Sequence, residues 1–236
     1  MESPSKTLGV LGGMGPAACA EFMRLLAEKS PAGRDQEHPI MYVLSDPHIP
    51  DRTAAVNGTG PDPTGRLRSD LLTVAGWGVD YLAVPCNTAH IFIDRFREEL
   101  PVPLIHIVEE TVAACQRKSP EGAWLLATEA TCKTGLYQRY AEKRGYTFLE
   151  VSPEAQNDVT EALTLVKAGR MTEAGDRMRN VVEGLWRIEN LDIATACTEL
   201  PLAYDASGLP RDRSVSSLGA LSDACLRVLY GTLYSR

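Results

Sequence analysis

Short apolar runs alternate with helix-like segments along almost the whole chain, and this alternation limits the folds open to it. Each run is too short for a stable helix and ends at polar residues, Gly or Pro, as a buried strand does. The predicted strands are 7–11, 40–44, 81–84, 104–108, 123–127, 147–151 and 191–195. Strands that alternate with helices favour mostly parallel sheets with helices on their faces. The sequence therefore predicts an α/β fold.

The segments between the strands carry apolar residues at helical spacing, which predicts amphipathic helices there. These residues are Leu67, Leu71 and Ala75, then Met171, Ala174, Met178, Val181 and Leu185, and finally Leu218, Leu221, Cys225 and Val228. The chain from about residue 214 onward is predicted to form a helix with no strand after it.

The two halves of the chain repeat one plan of strands and helices. We expect two pseudo-symmetric lobes, each a mostly parallel sheet flanked by helices. The first lobe comprises residues 1–112 together with 208–236, whose C-terminal helix packs back on it, and the second comprises residues 113–207. Since no low-complexity linker separates the halves, we expect closely packed lobes with an active site in the cleft between them.

Charge and cysteine content narrow the range of partners. The formal net charge is −7, from 24 basic and 31 acidic residues, and no basic run occurs, so nucleic acid is not an expected partner. No apolar stretch is long enough to cross a membrane and no signal-peptide layout is present, so the expected location is the cytoplasm. The six cysteines contain no CxxC pair, which predicts free thiols, without disulfides or a metal site.

Two cysteines stand out because each follows a predicted strand and precedes small polar residues. They are Cys86, in the segment PCNTAH, and Cys197, in the segment ACTELP. A helix that begins just after a cysteine favours its thiolate, which is the form that acts as a base. Two thiols on opposite sides of a carbon could remove a proton from one face and return it on the other. Either cysteine considered alone would be interpreted as a small core residue.

Such chemistry needs hydrogen-bond donors as well as two bases. A carbanion beside a carboxylate is unstable, so donors must face that carboxylate where charge develops. The side chains of Asn87, Thr88 and Thr198 are suited to this, together with backbone N–H groups of the following helical turn. Any carboxylate ligand also needs local positive charge, because the chain as a whole is acidic.

A glycine-rich turn, GVLGGMGP, follows the first predicted strand. It does not fit the G-x-G-x-x-G dinucleotide pattern and lacks the lysine of a phosphate-binding loop. The turn around Met14 is better interpreted as one that brings backbone N–H groups close to a small acidic ligand.

Several motifs occur in one order along the chain: LGGMGP (11–16), PDRT (50–53), PCNTAH (85–90), LLAT (125–128) with GLYQ (135–138), and CTELP (197–201). In this combination the chain resembles the aspartate/glutamate racemase family, most closely its aspartate racemase branch. The resemblance implies a two-base racemase that needs neither pyridoxal phosphate (PLP) nor metal. It also implies two pseudo-symmetric α/β domains and a homodimer.

The resemblance also implies roles for individual residues. Cys86 and Cys197 correspond to the two catalytic acid/bases, and Arg52 to the residue that pairs with the substrate side-chain carboxylate. The α-carboxylate is assigned to Asn87, Thr88, Ala89 and Thr198, and further substrate contacts to Met14, Thr128 and Glu199. Lys167 corresponds to a second basic residue at the side-chain carboxylate, or is a solvated lysine near a helix end. Glu199 stands where the glutamate racemase branch has His.

The expected function is interconversion of L- and D-aspartate, or of a related acidic amino acid such as glutamate, without a cofactor. The alternatives are a maleate-isomerase-like or decarboxylase-like enzyme of the same superfamily, and a catalytically silent amino-acid-binding protein. His90 either orients Cys86 or Asn87, or simply packs within its helix.

Overall fold

The chain forms two compact units, each with its own sheet and its own core. The first is Met1–Glu110 with Leu218–Arg236, and the second is Thr111–Ser217. The structure is a computed structural model and describes residues 4–231. In that part of the chain no helix is both long enough and apolar enough to cross a bilayer. Both sheets are parallel and flanked by helices, which confirms the predicted α/β class.

The first unit contains a four-stranded sheet in the order β2-β1-β3-β4, with every neighbouring pair parallel. Its elements are β1 (Leu8–Gly12), α1 (Pro16–Lys29), β2 (Met41–Ser45), α2 (Arg52–Val56), α3 (Thr64–Ala75), β3 (Tyr81–Ala83), α4 (His90–Ile93), β4 (Leu104–Ile105) and the start of α5 (Ile107–Lys118).

The second unit repeats this strand order with its own four strands, as β6-β5-β7-β8, again all parallel. Its elements are β5 (Ala123–Ala127), α6 (Glu129–Lys133), α7 (Leu136–Glu142), β6 (Phe148–Leu149), α8 (Pro153–Lys167), α9 (Met171–Ile188), β7 (Asp192–Ala196), α10 (Leu200–Ala206) and β8 (Ser214–Ser216). The helix α11 (Ser217–Tyr230) follows β8.

Helical spacing in the sequence determines which faces are buried. In α3 the side chains of Leu67, Leu71 and Val74 are all completely buried, because residues three and four apart share one face of a helix. In α9 the same spacing buries Ala174 and Met178 in the core of the second unit. Burial of one large aliphatic side chain contributes roughly 1.5–3 kcal/mol, so these faces fix the helices on their sheets.

Strand β8 differs from the sequence prediction. The sequence predicts a helix from about residue 214 and places 208–236 in the first lobe, but residues 208–217 belong to the second unit. There β8 pairs with β7, aligning Val215 with Ala194. Only Val215 is buried in this strand, and its two serine neighbours are half-buried, so the segment has no apolar run to reveal it.

The last helix returns to the first unit. The Lys29 ammonium lies 3.0 Å from the Asp223 carboxylate, and the Tyr230 hydroxyl donates to the Glu37 carbonyl at 2.8 Å. Buried side chains of α11 complete the packing, among them Leu218, Leu221, Ala224, Cys225, Leu226 and Leu229. The first unit is therefore built from two stretches that are far apart in the sequence.

Candidate active site

Each sheet has one point where the order of its strands reverses. In the first unit this point lies between β1 and β3, and in the second it lies between β5 and β7. Ligands of open parallel sheets bind at the carboxyl ends of the strands, at such a reversal. Cys86 comes shortly after β3 and Cys197 directly after β7. The two cysteines thus occupy corresponding positions in the two units.

The backbone around Cys86 is tightly held. Its N–H donates to the Val84 carbonyl at 2.8 Å, and its carbonyl accepts a hydrogen bond from His90 Nδ1 at 2.8 Å. The Cys86 side chain is 6% exposed, and Asn87 and Thr88 next to it are also buried. Ala89 is completely buried and immediately precedes α4. The chain therefore presents one thiol and two polar side chains in a rigid turn.

The Cys197 thiol is paired with a carboxylate. Cys197 Sγ lies 3.2 Å from Glu199 Oε2, and the Thr198 hydroxyl donates to the same oxygen at 3.1 Å. Cys197 is 7% exposed and Thr198 is 2% exposed. The sequence motif places Glu199 among substrate contacts and does not reveal this pairing. Only three residues, 197–199, join β7 to α10. A connection this short turns Glu199 back toward Cys197, and its shortness is the sequence signal that could have shown the pairing.

The glycine-rich turn after β1 packs directly on the end of β2. Gly13 has φ +93°, and a Cβ atom there would lie 2.3 Å from the carbonyl of Asp46. Only glycine fits this conformation and this contact. The turn leads to Met14, whose side chain is 5% exposed and whose carbonyl accepts a hydrogen bond from Arg52 Nη2 at 3.4 Å.

Arg52 is the first residue of α2 and is held by backbone carbonyls. Its Nη1 donates to the carbonyls of Ile49 and Pro50, each at 3.1 Å. Within residues 4–231 no acidic side chain pairs with Arg52, unlike most arginines of the chain. The guanidinium is oriented while its charge stays uncompensated, which suits it to bind a carboxylate.

A buried acidic pair braces the loop that leads to Arg52. Asp46 follows β2, and its Oδ1 accepts the His48 N–H at 2.9 Å while its Oδ2 accepts from Arg66 Nε at 2.7 Å. The same Nε lies 3.3 Å from Asp70 Oδ2. Asp46 and Asp70 are each 6% exposed. The sequence alone does not reveal this cluster, because its members are brought together only by the packing of α3 on β2.

The protein shifts the pKa values of the two carboxyl groups of this cluster in opposite directions. Burial raises the pKa of Asp70, and a hydrogen bond with Asp46 adds to the rise. Burial also acts to raise the pKa of Asp46, but hydrogen bonds from the His48 N–H and from Arg66 outweigh it and lower that pKa. Asp70 therefore keeps its proton to higher pH than Asp46 does.

Substitution of Asp70 tests this assignment. Because the pKa of Asp70 is raised on folding, its contribution to stability is complete below the unfolded pKa of about 3.9 and is lost as pH rises through the folded pKa. Asp70→Asn mimics the protonated acid at every pH. Its stability relative to the unsubstituted protein should therefore rise between pH 4 and pH 7, measured by urea unfolding. Asp62→Asn is the opposite control, since hydrogen bonds from Thr64 lower the pKa of Asp62. The stability that the Asp62 carboxylate contributes is present above the unfolded pKa of about 3.9 and is lost as pH falls through the folded pKa. The relative stability of Asp62→Asn should therefore change little between pH 4 and pH 7 and should rise only below pH 4. A pH-independent Asp70→Asn difference would contradict the assignment.

Two further predicted site residues lie on the second unit. Thr128 caps the N-terminus of α6, where its Oγ1 accepts the Thr131 N–H at 3.2 Å. Lys167 is the last residue of α8 and is exposed. It forms no hydrogen bond or ion pair with any residue that the structure describes. Thr128 thus has a local structural role, and Lys167 is an uncompensated cation.

The other four cysteines are poor candidates for a reactive thiolate. Burial raises the pKa of Cys19 and Cys225, that of Cys115 to about 12, and that of Cys132 to about 11. A thiol with so high a pKa stays protonated near neutral pH. Across the described residues, no three His, Cys, Asp or Glu side chains are grouped so that they could hold a metal ion.

Comparisons with known proteins identify the family. The family model described as Asp/Glu/Hydantoin racemase matches residues 11–212. The chain is similar to the broad specificity amino-acid racemase RacX of Bacillus subtilis, with 25% identity over 84% of this chain and 87% of that one. A solved structure of Picrophilus torridus aspartate racemase superposes with a TM-score of 0.83 and 26% identity, covering 96% of this chain and 95% of that one. A shorter match, to glutamate racemase of Aquifex pyrophilus, is 37% identical over 29% of this chain and 28% of that one.

Proposed function

Because the chain belongs to the Asp/Glu/hydantoin racemase family, we propose that it is an amino-acid racemase with an acidic substrate. The reaction is interconversion of L- and D-aspartate, or of a related acidic amino acid such as glutamate, without PLP or metal. Cys86 and Cys197 are the two acid/bases. The observation that carries the proposal is that each unit places a cysteine after the corresponding strand of the same sheet order, at the strand reversal.

The proposed reaction uses the two thiols in opposite protonation states. One thiolate takes the α-proton and becomes a thiol, while the other thiol gives its proton to the opposite face of the carbanion and becomes a thiolate. Inversion results because the proton leaves one face and arrives on the other. The reverse reaction exchanges the two roles, so a single proton shared between the cysteines serves both directions.

Charge development at the substrate needs fixed donors and cations. We assign the α-carboxylate to Asn87, Thr88 and Thr198, with the backbone at Ala89, because donors that face the developing negative charge lower the barrier most. The side-chain carboxylate is assigned to Arg52, whose guanidinium has no acidic partner among the described residues, and to Lys167. These two cations supply the local positive charge that the acidic chain otherwise lacks.

The direct test is an assay of purified protein on a panel of amino acids, without added PLP or metal and with a chelator present, followed by chiral chromatography. Aspartate or glutamate should be racemised, and reaction in D2O should place deuterium at the α-carbon of the inverted product. Maleate is assayed in parallel. Isomerisation of maleate without racemisation, or binding of aspartate without α-proton exchange, would overturn the proposal.

We propose that Glu199 keeps the Cys197 thiol protonated between turnovers, since its carboxylate accepts a hydrogen bond from that thiol at 3.2 Å. Glu199→Gln should lower kcat/KM at least about 10-fold, equally for both enantiomers because their equilibrium constant is one, and should change the shape of the pH–rate profile. The control is Asp205→Asn, which removes a carboxylate in α10, the helix that follows Glu199, and with it the ion pair to Arg211 at 3.0 Å. Unchanged kcat/KM and an unchanged pH profile for Glu199→Gln would contradict the role.

We also propose that the protein is a cytoplasmic homodimer. All six cysteines lie in the described part of the chain, and none of them forms a disulfide there, which fits a reducing compartment. The side chains of Ile40, Tyr42, Val43 and Trp77 are 40–59% exposed along edge strand β2 and after α3, and the Tyr42 and Trp77 rings lie 6.3 Å apart. A second copy that covers these apolar residues would stabilise a dimer. Sedimentation equilibrium measures the mass, and a monomer at micromolar concentration would contradict this part.

A further inference from the structure

We propose that His90 is a positioning residue that fixes the backbone of Cys86 and thereby the direction in which its thiol points. This inference rests on the proposed function, in which Cys86 exchanges a proton with the substrate α-carbon. It concerns how the thiol is held and not how the substrate is bound.

The hydrogen bond between His90 and Cys86 determines the histidine tautomer. His90 Nδ1 lies 2.8 Å from the Cys86 carbonyl oxygen. A carbonyl oxygen can only accept, so Nδ1 carries the hydrogen and Nε2 is unprotonated in the neutral ring. The Cys86 N–H is bonded to Val84, and with the His90 bond both backbone polar groups of Cys86 are fixed. The direction of its Cα–Cβ bond is then fixed as well.

Packing alone does not account for a histidine at this position. The side chain of His90 is completely buried, and its Nε2 has no hydrogen-bond partner among the described residues. A buried polar atom without a partner is unfavourable compared with an apolar ring of the same size. What histidine supplies here, and phenylalanine cannot, is the Nδ1–H bond to Cys86.

A second histidine holds the His90 ring in place. The ring centroids of His90 and His106 lie 4.3 Å apart, with an interplanar angle of 69°. His106 Nε2 lies 3.0 Å from Asp94 Oδ1, and its Nδ1 accepts the Glu109 N–H at 3.4 Å. Burial, and then the proximity of His106, lower the pKa of His90, so the ring stays neutral and keeps the tautomer that bonds Cys86.

The consequence for catalysis is geometric. Proton transfer requires close approach of the thiol to the α-carbon, and misplacement of a reacting group by about 1 Å can cost about 100-fold in rate. The His90 side chain bonds the Cys86 carbonyl, whereas the proposed carboxylate contacts are made by Asn87, Thr88 and Thr198. The effect should therefore fall on kcat and leave KM little changed.

Three substitutions at His90 separate positioning from packing. His90→Asn places an amide N–H close to the position of Nδ1, His90→Gln places one close to Nε2, and His90→Phe fills the volume without a donor. We expect His90→Asn to keep kcat within about threefold, and the Gln and Phe variants to lose about 10- to 100-fold in kcat with KM changed less than about threefold. Equal kcat for Phe and the unsubstituted protein, or an equal loss in Asn and Gln, would overturn the proposal.

A readout that does not depend on activity keeps this test separate from the proposed function. In a Cys197→Ser background, the rate at which iodoacetamide alkylates Cys86 is followed across pH by mass spectrometry of the Cys86 peptide. The alkylation rate of Cys86 in the His90→Gln and His90→Phe variants should differ several-fold from that in the parent, and the rate in His90→Asn should not. If the alkylation rate of Cys86 has the same pH dependence in all variants that unfold at the same temperature, the proposed role of His90 is wrong. Absence of racemisation in the unsubstituted protein would refute the proposed function alone.

Discussion

Replacing Cys86 or Cys197 with alanine is expected to lower kcat/KM for aspartate racemisation by at least about 10³-fold. Inversion needs a proton donor and a proton acceptor on opposite faces of the α-carbon, and either substitution removes one of them. Neither should unfold the protein, since each removes only one sulfur atom from a core cluster of many side chains. Chiral chromatography measures the inversion, and thermal unfolding checks the fold.

Solvent exchange makes this test sharper. In D2O, a variant that keeps one thiol can still remove a proton from one face and return deuterium to the same face. Cys86→Ala and Cys197→Ala should therefore exchange the α-proton of opposite enantiomers without inverting them. Cys132→Ala is the matched control, because burial raises the pKa of this partly buried thiol to about 11, and it should keep full activity. Full inversion by either Cys86→Ala or Cys197→Ala would exclude the two-base reaction.

Arg52→Met is expected to lower kcat/KM for aspartate by about 100-fold and to change that for alanine far less. A charge-assisted hydrogen bond contributes about 1.5–3 kcal/mol, and a guanidinium can form two such bonds to one carboxylate. Arg52→Lys should recover part of the loss, since lysine restores the charge without the planar pair of donors. The measurement is kcat/KM for both amino acids in each variant.

The hydrogen bonds of Arg52 to Met14, Ile49 and Pro50 require a control. If Arg52 only braces these loops, activity on aspartate and on alanine should fall in parallel, and the specificity role would be wrong. Arg95→Met is the matched control, because Arg95 belongs to the same unit but its charge is already paired with Asp62 at 2.8 Å. It should leave the ratio of the two activities unchanged.

The fold was largely predictable because its central strands β1 and β5 are buried along their whole length. Apolar runs such as 123–127 coincide with a strand whose residues are all buried. Strand β8 was missed because a single buried valine between two serines gives no periodic signal. The strand predicted over 104–108 ends at Ile105, since His106 accepts the Glu109 N–H at the start of α5. Such side-chain caps are not visible in hydrophobicity alone.

The candidate site was predictable only in part, for a similar reason. Strand ends can be inferred from the sequence, and so can the polar residues that follow Cys86 and Cys197. The partners of those residues depend on how a turn closes. The contact of Glu199 with Cys197 and that of His90 with Cys86 each depend on a bend of a few residues. The pairing of Asp46 with Arg66 needs a whole helix to pack on a strand before it exists.

The return of α11 to the first unit has a consequence for biosynthesis. A ribosome makes the strands of the first unit early, but it makes α11 only after every strand of the second unit has emerged. Until α11 has been made, the apolar surface of the first unit that α11 covers stays exposed. The second unit already has all four of its strands at that point. A chain released before Leu218 would lack the contacts that Asp223 and Tyr230 make with Lys29 and Glu37. The first unit, although it begins first, is therefore completed after the strands of the second unit.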